Sequence, residues 1–424
     1  MNVLRTLALS MLTCCAAKAK IIVATNSIAE AIQKAAAGDT ILVHGPFIFS
    51  EHLVITNTIR LVGTNSPILD GASEGTPLIV AAPSATVSGL IIRNSGHDLT
   101  KFDSGILITA NHVSITDCRI ESDGFGIYLR GVNNCLTERN SILGSATLAS
   151  SVRGNGIHLW KGQRNSILNN TIRGKRDGMY FSYADYNVIA GNQVSETRFG
   201  IHYMYSHQNQ LLTNVLSRNN VGATLMFSRQ ALVQGNIVTA NRRHGIVLKQ
   251  FDNSRLIGNA ICGQNRGLFV QQANQNRFEG NLIATNDIGL YLSNISEENV
   301  FVGNAFVQNV DQVWQPPFET SQGRKGPNAF SERGRGNYWS DYTGADRNQD
   351  GIGDTPYHET DAFGYLVDRH PTARLFALSP AVALLRKSEE LMPLLDTEGV
   401  TDLVPLMKCP WAPDRIASFF AARL

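Results

Sequence analysis

Gly178-Met179-Tyr180-Phe181, Gly200-Ile201-His202-Tyr203 and Gly222-Ala223-Thr224-Leu225 repeat one phrase at intervals of 22 residues. The phrase is a glycine, an apolar residue, a free position and a second apolar residue. It recurs from Gly105, Gly126 and Gly156 on one side and from Gly245, Gly267 and Gly289 on the other. Successive spacings from Gly105 to Gly289 are 21, 30, 22, 22, 22, 23, 22 and 22. A second series interleaves: Asn170, Asn192, Asn214, Asn236, Asn259, Asn281 and Asn304, again 22 or 23 apart. A fixed period of this kind is the mark of a solenoid.

The local pattern selects the type of solenoid. Apolar residues alternate over short runs bounded by Gly and Asn, which is strand-and-turn chemistry. A helical repeat needs apolar spacings of three and four sustained over ten or more residues, and leucine-rich repeats need fixed leucines; both are absent. The chain is therefore expected to be all-β, a right-handed parallel β-helix with coils of about 22 residues. In-register stacking would set the asparagines over one another as a hydrogen-bonded ladder. The β-helix is expected over residues 20–310, with irregular early coils. Thr25 to Gly38 carries Ile28, Ala31, Ile32, Ala35 and Ala36 on one face, as a small N-terminal helical cap would. The long interval between Gly126 and Gly156 predicts a protruding loop near Gly144 to Arg153.

Strand alternation also predicts what faces outward. The first and third residues after each glycine should enter the core, and the second and fourth should leave it. The outward positions include His158 and Trp160, Tyr180 and Ser182, His202 and Met204, and Thr224 and Met226. Met204 and Met226 should be stacked neighbours with His202 beside them, His207 in the following turn and His158 two coils below. Thioether and imidazole together suit a soft cation, above all Cu(I). The same residues also suit a soft apolar patch for a protein partner. Many exported β-helix proteins are polysaccharide lyases, epimerases or hydrolases. Those enzymes need clustered carboxylates or a basic residue on one face. The outward positions here carry no Asp or Glu, and Asp177, Asp185 and Asp252 fall in turns without an evident partner. Arg173, Arg176, Arg198, Arg242 and Arg243 read as solvated turn charges.

Composition narrows the setting. The 424 residues include 37 Lys and Arg against 35 Asp and Glu, a net charge of +2, which leaves no electrostatic footprint for nucleic acid. Arg5, the apolar run Leu7 to Ala17 and Ala17-Lys18-Ala19 read as a signal peptide over residues 1–19, cleaved after Ala19. Lipidation at Cys14 is disfavoured because Met11-Leu12-Thr13 lacks the expected small residue. The mature chain is then exported and soluble. It keeps Cys118, Cys135, Cys262 and Cys409, with no CxxC pair, and a Cys118–Cys135 disulfide or free thiols remain open.

Beyond the repeat, residues 311–376 read as a loop-rich Asn, Asp and Gly segment. It contains Gly336-Asn337-Tyr338-Trp339-Ser340-Asp341-Tyr342. Asp346, Asn348, Asp350 and Asp354 have spacing similar to a calcium loop, although Tyr357 stands where a bidentate Glu would be expected. A turn held by Asx hydrogen bonds is the other reading. Residues 377–424 show helical spacing of Leu384, Leu385, Leu391, Leu394, Leu395, Leu403, Val404, Leu406 and Met407, followed by Trp411, Phe419 and Phe420. They form either a cap on the last coil or a docking tail.

A leader, a 22-residue Asn and Gly repeat, and the Asn337-Tyr338-Trp339-Ser340-Asp341-Tyr342 phrase with its Asp346-to-Tyr357 sequel together resemble the NosD family. That family comprises maturation proteins of nitrous oxide reductase. The resemblance implies a periplasmic, non-catalytic protein that binds copper. It implies as partners an ABC transporter of NosF ATPase and NosY membrane subunits, a NosL-type copper-donor lipoprotein and the apo reductase, with peripheral contact at the inner membrane. It supports the metal reading of the Met and His face but brings no ligand motif of its own.

Overall fold

The computed structural model describes residues 19–145, 148–293, 295–315, 326–359, 363, 366, 370–377, 379–391 and 400–416. The leader up to residue 18 lies outside them, as do Leu394, Leu395, Phe419 and Phe420. Three parallel sheets of 13, 12 and 13 strands wind up one axis as a right-handed β-helix. The first runs from Ile21–Ala24 to Val300–Val302. The second runs from Leu53–Ile55 to Asp311–Trp314 and holds the glycine-phrase strands. The third runs from Ile48–Phe49 to Tyr338–Trp339.

The inward phase is as read. Ile157, Leu159, Met179, Phe181, Ile201, Tyr203, Ala223 and Leu225 are buried in one continuous core. Each glycine is required by the close stacking of neighbouring coils. A Cβ on Gly178 would stand 2.2 Å from Val194 Cγ1 and 2.5 Å from the Gly200 carbonyl oxygen. Glycine and the residue after it thus both turn inward, and strict alternation breaks at each phrase.

The asparagines form the expected ladder. Asn192 Oδ1 accepts from the Asn170 backbone N–H at 2.9 Å and from its Nδ2 at 3.0 Å, and Asn214 Oδ1 serves Asn192 in the same way. The ladder runs from Asn140 to Asn337 without a gap. A second one joins Asn165, Asn187 and Asn209. Buried amides left unpaired cost about 1–3 kcal/mol each, so these contacts fix the register of the coils.

The N-terminal cap is the helix Ile28–Lys34, started by Ser27 accepting from the Glu30 N–H. It buries Ile28, Ala31 and Ile32, while Ala36 lies exposed beyond its end. The insertion forms a loop with a short turn at Ser150–Val152. All four described cysteines are free thiols, and Cys118, Cys135 and Cys262 are buried.

The stack continues past residue 310. Asp311–Trp314 pairs with Ile288–Leu292, and Tyr338–Trp339 pairs with Ala305–Val307. The Asn-Tyr-Trp phrase is therefore the last rung of the third sheet. Trp339 stacks on Phe306 at 4.4 Å and on Tyr357 at 4.2 Å. Asp402 is fully buried and accepts from the Asn337 N–H at 2.7 Å and Trp339 Nε1 at 2.9 Å. Beyond it, Cys409, Trp411 and Ile416 pack on Ala260, Cys262, Leu282, Ala284, Ala305 and Val307, the outer side of the third sheet. Trp411 Nε1 donates to the Gly280 carbonyl at 3.1 Å. This part of the tail is a cap. The helix Pro380–Leu391 does not share that role at Leu384, which is 72% exposed.

Candidate metal-binding face

The outer side of the second sheet carries the predicted residues in parallel columns. Ser182, Met204, Met226 and Lys249 are register partners in successive coils, and so are His158, Tyr180, His202 and Thr224. Met204 and Met226 are thus direct neighbours on adjacent strands, about 4.8 Å apart in backbone spacing, and each is half-buried. His202 precedes Met204 by two residues on the same strand, Phe199–Met204, and the same side. At the next corner Tyr183, Tyr205 and Phe227 stack at 5.2 and 4.9 Å and border the methionines.

His158 is not brought to the methionines. Its ring meets Tyr128 at 4.7 Å and Tyr180 at 4.9 Å, and Tyr180 in turn meets His202 at 4.9 Å. Tyr180 therefore separates the two imidazoles. Burial pushes the His158 imidazole down to about 4, against the pull of Asp177, so the ring is neutral near pH 7. His207 lies in the turn after Met204. Its backbone N–H donates to Asp185 at 2.7 Å, and its ring Nδ1 is buried without a hydrogen-bond partner.

The carboxylates are arranged differently from the sequence expectation. Asp177 sits in the strand Asp177–Ser182, 1% exposed. It accepts Arg198 Nε at 2.8 Å and Nη2 at 2.7 Å, and shares a 3.0 Å hydrogen bond with His202 Nδ1. Burial alone would raise its pKa, but the His202 and Arg198 hydrogen bonds outweigh it and hold the carboxyl below its usual value. Arg198 is therefore an ion-pair partner rather than a solvated charge, whereas Arg173 pairs with Glu196 at 2.7 Å while staying exposed to solvent, as expected. Asp185 and Asp252 each accept a backbone N–H from the next coil. The sequence reads Asp177 as a turn residue without an evident partner; it is instead the first residue of a strand, three residues and one coil from His202, and that is why sequence reasoning missed it.

Two thioethers and one imidazole are a soft donor set that fits Cu(I). Among the described residues, no three His, Cys, Asp or Glu side chains come together as a harder ion would require. The Asp346–Asp354 loop does not gather its oxygens for calcium. Asp346 accepts from the Asp350 and Gly351 N–H groups, Asp350 from Ile352 and Asp354 from Arg347. The Asp350 bond is an Asx turn, and the Asp346 and Asp354 bonds close the loop around it.

A right-handed parallel β-helix with half-buried thioethers beside a buried imidazole on its outer side is the class that fold and face define. Residues 138–344 match a family model described as periplasmic copper-binding protein (NosD). A Stutzerimonas stutzeri protein named probable ABC transporter binding protein NosD is 36% identical over 81% of this chain and 81% of its own length. Its namesake from Pseudomonas aeruginosa is 36% identical over 87% of this chain and 88% of its own. This chain belongs to the NosD family. Among solved structures, the Dettilon phage tailspike protein shares the fold, with a TM-score of 0.53 and 17% identity over 71% of this chain and 63% of that one.

Proposed function

We propose that this protein is a non-catalytic, copper-handling accessory of the periplasm that carries Cu(I) on Met204, Met226 and His202. His207, with its unpartnered buried nitrogen, is the nearest further donor in sequence, and His158 belongs to the ring column. The observation that carries this reading is the direct pairing of Met204 with Met226 on an outer face beside His202. Its membership of a family described as periplasmic and copper-binding supports it. The names of its relatives support an ABC transporter as the partner. The finer reading follows the family resemblance. The leader is cleaved after Ala19, copper arrives from a NosL-type lipoprotein, and NosF and NosY-type subunits drive its passage to apo nitrous oxide reductase. Leu375 and Leu384, 86% and 72% exposed, support a tail that touches the membrane subunit or the inner-membrane surface.

The test is a Cu(I) titration of the full chain under reducing conditions, in competition with a chromogenic chelator. Met204→Ala with Met226→Ala should lose on the order of 100-fold or more in affinity, at least the upper range known for outer-shell changes. Parent-like binding by that variant removes the site. Turnover of an acidic glycan by the parent protein would instead favour a polysaccharide-active β-helix enzyme.

A further inference from the structure

We infer that Asp177, clamped by Arg198, is a positioning residue that fixes His202 as the Nδ1–H tautomer and frees Nε2 to ligate Cu(I). The inference rests on the copper reading above. It adds a residue and a tautomer that neither the family description nor the donor pattern assigns.

The geometry is continuous from one residue to the next. The Arg198 guanidinium lies 4.5 Å over the Phe199 ring, which holds it flat. Its two N–H groups grip both oxygens of Asp177. One of those oxygens, Oδ2, is the 3.0 Å partner of His202 Nδ1. An ionised carboxylate can only accept, so the imidazole nitrogen facing it must carry the proton. In a neutral ring the other nitrogen, Nε2, then has its lone pair free. The two ring nitrogens point apart. Asp177 lies one coil below and toward the start of the strand, so Nε2 faces away from it. Phe199 and Tyr180, each 4.9 Å from the His202 ring, limit its rotation. A histidine ligand commonly has its second nitrogen fixed by a carboxylate, which sets the tautomer and raises ligand basicity.

Position in the repeat argues that this is more than a turn contact. The register partner of Asp177 in the next coil is Phe199, and in the one after it is Val221. The scaffold therefore does not need a carboxylate here. A buried carboxylate is costly unless paired, and here its pairing includes the histidine two residues before Met204 on the same strand.

Two measurements test the inference on the full chain. The first needs no variant: nitrogen NMR of the 15N-histidine-labelled apo protein must show His202 protonated at Nδ1 and bare at Nε2. An Nε2–H tautomer overturns the inference. The second compares Cu(I) affinities of Asp177→Asn, His202→Ala and the double variant. Asp177→Asn should weaken binding by about 10–100-fold. It should weaken binding little further in the His202→Ala background, because it acts through that ring. An equal loss with and without His202 shows that Asp177 acts on the fold, and overturns the inference. If Asp177→Asn binds like the parent while the methionine double variant does not, the positioning role falls and the copper site stands. If the methionine double variant binds like the parent, the copper site falls and takes the positioning role with it.

Discussion

The second and third sheets present the same core pattern inward and opposite faces outward. On the third sheet, Ala260, Cys262, Leu282, Ala284, Ala305 and Val307 make an apolar surface, and the chain's own Cys409, Trp411 and Ile416 lie on it. On the second sheet, Met204, Met226 and Tyr180 are half-buried, and His202 is buried between them by Tyr180, Phe199 and Asp177. Small residues on the covered side let a peptide approach closely. On the second sheet, large polarizable and ring-bearing residues stack coil on coil. The solenoid covers one outer side with its own tail, and on the other the donors for a soft ion lie half-buried or buried among their neighbours' side chains.

The comparison breaks most directly at Asp402. Asp402→Ala strands the Asn337 N–H and Trp339 Nε1 in a buried site and should cost about 3 kcal/mol. Thermal melts should show the loss. Hydrogen exchange should show the outer third sheet becoming as accessible as the second. An unchanged exchange pattern would mean that the tail is held by Trp411 alone.

A smaller effect separates the faces by pH. His158 and His244, both on the second sheet, are held at about 4, chiefly by burial, with Arg266 and Arg243 adding to the effect at His244. Their folded values lie below the ordinary 6.5. The unfolded chain therefore binds more protons between those limits. Stability is full above about pH 6.5 and falls as the pH drops toward 4, by about 1–3 kcal/mol in all. Melts across that window should show this slope, and His158→Phe, which suits its aromatic neighbours, should flatten it. A slope unaltered by that change would locate the sensitivity elsewhere.

The smallest effect sharpens the contrast. Met204→Ala with Met226→Ala truncates half-buried side chains on an outer face and should cost only about 1–2 kcal/mol, while Cu(I) binding collapses. A loss of stability as large as that of Asp402→Ala would show that the methionines pack as core, and the face would no longer be distinct.

Much of this was readable in advance because a solenoid writes its tertiary neighbours into its period. With coils of 22 residues, Met204 and Met226 must meet, and the asparagines must stack. Leu159 and Tyr203 must point inward because strand side chains alternate. The Asp346 loop was legible as turn chemistry but not as a choice between a cation and backbone N–H groups. That choice depends on where the carboxylates turn.

The sequence by itself determined the coil, its inward phase and the columns of His158, His202, Met204 and Met226, because these depend on spacing alone. Only the folded chain shows that Asp177, read as a turn residue, starts a strand and holds His202 from the coil below, since that contact depends on where the turn ends and the strand begins. It alone decided that Trp411 returns to Gly280 and closes the third sheet. That contact joins residues 131 apart, in a segment with no period to predict it.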